Sequence, residues 1–335
     1  MIDVLMLTLD DNANTGWKTF KCLQRLGLTV QFLKGDYHPF GYPEQGCVHP
    51  ALVRAAKEQR LFVDVPELHA YANQASVIHY VASCFVDTGV DLSKCGMVMQ
   101  HGGRNYRQYY EVINKNFNGF VDYSLVQMPD LLGLGAKNEV LFYFPVDTDF
   151  IKPVYKRFSD KLVIGHFPTL STNKGTTEVV KVMDKLRGDG AVKDKFIYCG
   201  VREAGEEKIM LWTDNLLRMS ECDVIVDVFA KTAQGKPYGE WGNVSFEAAA
   251  LGKIPVSMSL KKEVYEREYG ECGIKIANTE EELEEVLRRL ICLKVSDLQK
   301  EKETTRDWVN RNHGFEASAK RLWDKVYCNF FGGNV

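Results

Sequence analysis

Residues 2–9 are almost continuously apolar, and the chain then turns polar from Asp10 to Gly16. Beyond that turn Trp17, Phe20, Leu23, Leu26 and Leu28 recur at helical spacing, with Gly27 closing the segment, and Thr29-Val30-Gln31-Phe32-Leu33 reads as the next strand. Strand, polar loop, helix and strand make a βαβ unit, which predicts a parallel sheet. Further buried strands are expected at 76–81, 96–100, 123–126 and 140–144. The Gly-, Pro-, Tyr- and His-rich stretch 36–50 reads as a surface excursion. Pro145 and Pro153 frame a segment without periodicity, so a domain boundary is expected near residue 155. The alternation then resumes. Strands are expected at 162–166, 195–200, 224–228 and 253–258, and helices at 176–188, 246–251, 280–293 and 315–327. The predicted class is α/β, with two Rossmann-like doubly wound domains facing a cleft. They span residues 1–155 and 156–312, and a C-terminal helical segment at 313–335 packs near or crosses to the first.

Composition changes this picture little. The chain has 335 residues, 45% hydrophobic and 26% charged, as soluble domains do. No apolar run approaches the ~18 residues of a membrane span. The first residues read as a strand and not as a signal peptide, so a cytoplasmic location is expected, with only peripheral membrane contact left open. Nine cysteines without a CxxC pair read as buried, reduced thiols. The net charge is −3. The first half is slightly acidic and the second balanced, so neither has the basic excess that a phosphate backbone requires, although a local basic groove would not show in these totals.

In α/β sheets ligands bind at the carboxyl ends of strands, so chemistry is sought in the loops that follow them. The most specific segment runs from Gly239-Glu240-Trp241-Gly242-Asn243 through Glu247-Ala248-Ala249-Ala250 to Pro255-Val256. Gly239 and Gly242 let backbone amides approach an anion, and the helix that follows offers its N-terminus. Glu247 suits the diol of a ribose. From these residues alone, a glycine turn beside a surface glutamate is the alternative. The segment resembles the donor-site signature of retaining GT-B glycosyltransferases (group 1, family 4-like), in which a Gly-rich loop precedes Glu-Ala-Met-Ala-x-Gly-x-Pro-Val. The resemblance implies that Glu247 binds the ribose of the nucleotide. The family's second glutamate, eight positions earlier, is Gly239 here; either Glu240 takes over the contact with the donor sugar or that role is absent.

A second stretch, Val163-Ile164-Gly165-His166 to Asn173-Lys174-Gly175, combines a strand, a polar loop and a helix start. A lysine at a helix N-terminus opposes the macrodipole by up to ~1 kcal/mol unless an anion lies between them, and a diphosphate would serve. The alternative is a solvated loop lysine. The family places its diphosphate-binding lysine here. The partner arginine is Thr169 in this chain, so Lys174 is expected to neutralise the diphosphate aided by His166, Arg202 or the loop amides.

A third stretch, Gln100-His101-Gly102-Gly103, follows an apolar strand. His101 reads as structural or as a donor to a sugar hydroxyl. The family's His-Gly motif implies the latter, a contact with the donor sugar across the cleft. The family's first loop falls on residues 12–16, which makes Gly16 a donor-side amide, and residues 144–153 resemble its linker entry.

Together these features predict a glycosyltransferase, hexosyl or pentosyl, taking a sugar from a UDP- or GDP-type donor, and the resemblance implies retention of configuration. His101, Glu240 and Lys174 would carry the chemistry. Glu247, Gly239, Trp241, Gly242, Asn243, His166, Thr169, Gly16 and Arg202 would hold the donor. No cofactor and no bound metal are expected, since the histidines are dispersed. The acceptor is expected to be a glycan or lipid-linked glycan, with a modified DNA base as the alternative. The rival functions are a nucleotide-sugar epimerase, a phosphorylase, or a nucleotide-sugar-binding protein that has lost transfer.

Overall fold

The structure is a computed structural model that describes residues 1–57, 61–203, 205–206, 209–233 and 235–332. The chain forms two compact units. One comprises residues 1–145 and the C-terminal stretch from Phe315, the other Val146–Gly314. Among the described residues no helix is long and apolar enough to cross a membrane.

The first unit is built on a parallel seven-stranded sheet in the order Cys47–Val48, Val30–Lys34, Ile2–Thr8, Ala75–Tyr80, Gly96–His101, Tyr123–Val126, Glu139–Leu141. The central strands are buried on both faces, which is why they read as unbroken apolar runs. On one face Val4, Met6, Val77, Val98 and Leu125 form a core with Phe20 and Leu23, closed by Phe315, Ala319, Leu322, Val326 and Tyr327 from the end of the chain. The sheet changes direction between Ile2–Thr8 and Ala75–Tyr80. The loops that follow these two strands hold Ala13, Asn14, Ala82 and Ser83 at positive φ (54°, 57°, 61° and 59°), a sparsely allowed backbone for residues with a Cβ. The expected single helix 315–327 is helical as Phe315–Leu322 and then widens into a π turn at Trp323–Tyr327. In that segment the Tyr327 hydroxyl lies 2.7 Å from His79 Nδ1 in the core.

The second unit has a parallel five-stranded sheet in the order Phe196–Gly200, Leu162–His166, Val224–Val226, Ile254–Ser257, Lys275–Ile276. Its direction changes between Leu162–His166 and Val224–Val226, so the crevice of this unit is fixed by the loops after those two strands. The helix Thr176–Gly188 sits where periodicity places it. The helix after the Gly-rich loop begins earlier than expected, at Asn243, and runs to Ala250. Val295–His313, nineteen residues long, carries no apolar stripe that announces it. All nine cysteines are free, but only Cys22, Cys84 and Cys222 are buried, whereas Cys47 and Cys292 are exposed. The expectation of buried thiols is corrected accordingly: thiols near strand ends and in helix-terminal turns face solvent.

Candidate functional site in the second unit

Two loops meet at the switch point of the second unit. The first follows Leu162–His166, makes a single turn at Ser171–Lys174 and passes through Gly175 (φ 70°) into Thr176–Gly188. The second follows Val224–Val226 and begins with Asp227. They touch backbone to backbone. Phe229 N donates to Lys174 O at 2.8 Å, and a Cβ built on Gly175 would stand 2.0 Å from Phe229 O, so only glycine fits there.

That crossing brings Lys174 Nζ to 2.6 Å from Asp227 Oδ1. Asp227 Oδ2 accepts from Gly242 N at 2.9 Å and from Ser245 Oγ at 2.8 Å, so the carboxylate closes the entry to the helix Asn243–Ala250. Lys174 keeps 17% of its side chain exposed and Asp227 only 1%. Burial opposes the charge of both. The attraction between them outweighs it, holding the Lys174 ammonium above and the Asp227 carboxyl below its ordinary range; Gly242 and Ser245 assist on the acid, Tyr238 and Glu247 on the base. The anion that Lys174 requires at a helix start is therefore a side chain of the protein itself, and in this structure no diphosphate is needed to remove the conflict.

Glu247 lies in the same helix, buried, with Oε1 accepting the Trp212 indole N–H at 2.9 Å. Its negative charge adds to those that raise the Lys174 ammonium. Gly239 has φ 99° and packs against Leu260. Glu240 is fully buried: Oε1 accepts Lys261 N and Oε2 the Ser259 hydroxyl, both at 2.9 Å. It thereby ties the Gly-rich loop to residues 259–261. Trp241 is buried edge-on against Tyr265, and Asn243 opens the helix half-buried.

His166 is a buried brace. A carbonyl can only accept, so Nδ1–H donates to Val226 O and Nε2 accepts the Thr176 hydroxyl, both at 2.9 Å. Burial lowers its pKa to about 4 and keeps it neutral. Thr169 is exposed in the first loop. Arg202 pairs with Asp184 at 2.8 Å on the exposed flank of Thr176–Gly188, so its guanidinium is occupied away from Lys174.

In the first unit His101 is buried and neutral, its pKa lowered to about 3 by burial. Nδ1 is 3.1 Å from Ser83 Oγ and the ring stacks on Tyr106. The Gly16 amide donates to Asp11 Oδ1 at 2.6 Å and Trp17 N to Oδ2 at 3.1 Å, so here too a buried aspartate answers the amides of a loop expected to face a ligand. Burial raises Asp11 to about 6.

The sequence matches no protein-family model and no curated protein. Solved structures do match. HepE from Anabaena, solved with UDP, aligns with a TM-score of 0.61 over 97% of this chain and 100% of that one at 12% identity. Sucrose-phosphate synthase from Thermosynechococcus elongatus gives 0.62 over 100% of both chains at 13% identity. The trehalose-6-phosphate synthase OtsA gives 0.61 over 99% of both at 8% identity. The fold is GT-B. In this GT-B chain the residue that sequence reasoning missed is Asp227. The signal was a carboxylate directly after the apolar strand Val224–Val226, where a doubly wound sheet opens.

Proposed function

We propose that this chain is a glycosyltransferase that moves a sugar from a nucleoside-diphosphate donor, held by the second unit, to a hydroxyl-bearing acceptor. The reading rests above all on one observation: Asp227 joins Lys174 to the Gly-rich loop and to the start of the helix that carries Glu247, at the switch point of a sheet whose fold is shared with a protein solved with UDP, with UDP and glucose, and with UDP-glucose. In this reading Glu247 holds the ribose. Lys174 and the loop amides meet the charge that builds on the departing diphosphate. Glu240 shapes the sugar pocket through the loop it anchors. No side chain is assigned as a nucleophile, which fits transfer with retention, the leaving phosphate taking the acceptor's proton on the same face. We place the acceptor among glycans and lipid-linked glycans, because the slightly acidic first half suits DNA poorly.

The test is thermal stability against UDP, GDP, ADP, CMP and their common sugars. A ligand at about 100 times its dissociation constant adds roughly 2.7 kcal/mol. One nucleotide series should stand out, and its shift should vanish in Glu247→Ala. Absence of any shift across the panel would sink the reading.

A further inference from the structure

We propose that Asp227 is a built-in competitor for the donor's phosphates, occupying the anion position of the site and setting how much negative charge it tolerates. This rests on the reading of the site as one for a nucleoside diphosphate.

Three groups of the second unit suited to a phosphate oxygen converge on one point: the Lys174 ammonium, the Gly242 amide and the Ser245 hydroxyl. All three are taken by the two oxygens of one carboxylate, at 2.6, 2.9 and 2.8 Å. This is the coordination a phosphate would receive, delivered to a side chain. A Cβ on Gly242 would stand 3.4 Å from Lys174 Nζ and 3.8 Å from Asp227 Oδ2, so the glycine, the ammonium and the carboxylate already lie in contact. A phosphate that reaches Lys174 must therefore displace the carboxylate or lie beside it. Like charges about 5 Å apart at an effective dielectric near 20 repel by more than the free energy of a tenfold change in affinity. Thr169 and Arg202 add nothing to offset this, since the first is uncharged and the second pairs with Asp184. The pair Lys174–Asp227 is neutral as a unit. The remaining recognition falls on the nucleoside, at Glu247.

The competing role differs from a purely architectural one in sign. If Asp227 only positions Lys174, removing its charge weakens phosphate binding. If it competes, removing its charge strengthens it. The experiment is calorimetric titration of wild type and Asp227→Asn with uridine and UDP, repeated with the guanosine and adenosine pairs. In wild type the diphosphate should improve affinity over the nucleoside by less than about tenfold. In Asp227→Asn the advantage of the diphosphate over its own nucleoside should grow by about tenfold or more. Asp227→Ser serves as a second variant should the asparagine fail to fold, and the wild-type ratio needs no variant at all. A large diphosphate advantage in wild type, or an unchanged or reduced one in the variants, overturns the competitor role while leaving the donor site standing. If no nucleoside or nucleotide binds to any form, the donor-site reading falls and the competitor role with it.

Discussion

Gly175 shows how much of the site hangs on one residue without a side chain. Its φ of 70° and the backbone of Phe229 pressed against it let the Lys174 loop and the Asp227 loop cross in contact. Gly175→Ala forces a left-handed backbone on a residue with a Cβ and drives that atom into a carbonyl that cannot yield. We expect a loss of about 3 kcal/mol or more in urea unfolding, with nucleotide binding lost beyond what instability explains. A variant with wild-type stability would show that the loops separate without cost. Lys174 itself was legible in the sequence as a cation in need of an anion, and so were the glycines. The identity of the anion was not, because Asp227 and Lys174 are brought together only by the crossing of two loops far apart in the chain.

Elements were legible in proportion to how far burial follows hydrophobicity. Thr176–Gly188 buries Val179, Val182, Met183 and Leu186 and is visible from its periodicity. Val295–His313 is not, because its buried face carries Lys302, Thr305 and Arg306 beside Leu298, Trp308 and Val309. Lys302 Nζ meets Asp223 Oδ1 at 2.6 Å, and Arg306 donates to the carbonyls of Thr148, Ile151 and Ala250. A periodicity of apolar residues cannot find a helix that buries its charges. The C-terminal segment is a mixed case: its apolar residues gave it away, but its π turn did not show. That turn carries Tyr327, whose hydroxyl is bonded to a histidine kept neutral by burial. Tyr327→Phe leaves His79 Nδ1 without that partner in the core and should cost about 1–3 kcal/mol in urea unfolding. No change would mean that the contact contributes nothing to the first unit.

Across the whole molecule, buried neutral histidines make stability depend on pH. Burial lowers His79 and His101 to about 3 and His166 to about 4. The unfolded chain binds protons on these rings below about pH 6.5 and the folded chain does not, so stability is lost as pH falls from 6.5 toward 4. Between pH 6.5 and 4.5 each ring should cost on the order of 2 kcal/mol. Asp11 works in the opposite sense. Its pKa, raised to about 6, means that the folded state takes up a proton first and gains stability as pH falls from 6 toward 4. The net expectation is a falling urea midpoint between pH 6.5 and 4.5, partly offset by Asp11, and a steeper fall in Asp11→Asn. A flat profile would show that the three rings protonate freely in the folded chain.

The first unit is interrupted in sequence: its core face of Val4, Met6, Val77 and Val98 is closed by Phe315, Leu322, Val326 and Tyr327. On a ribosome adding about 5–20 residues per second, that face waits about ten seconds or more for its cover. The inserted second unit is synthesised whole in the meantime and has its own core of Ile164, Val224, Ile254 and Leu287. The half that begins first therefore finishes last, and its bare sheet is the surface a chaperone would meet on the nascent chain.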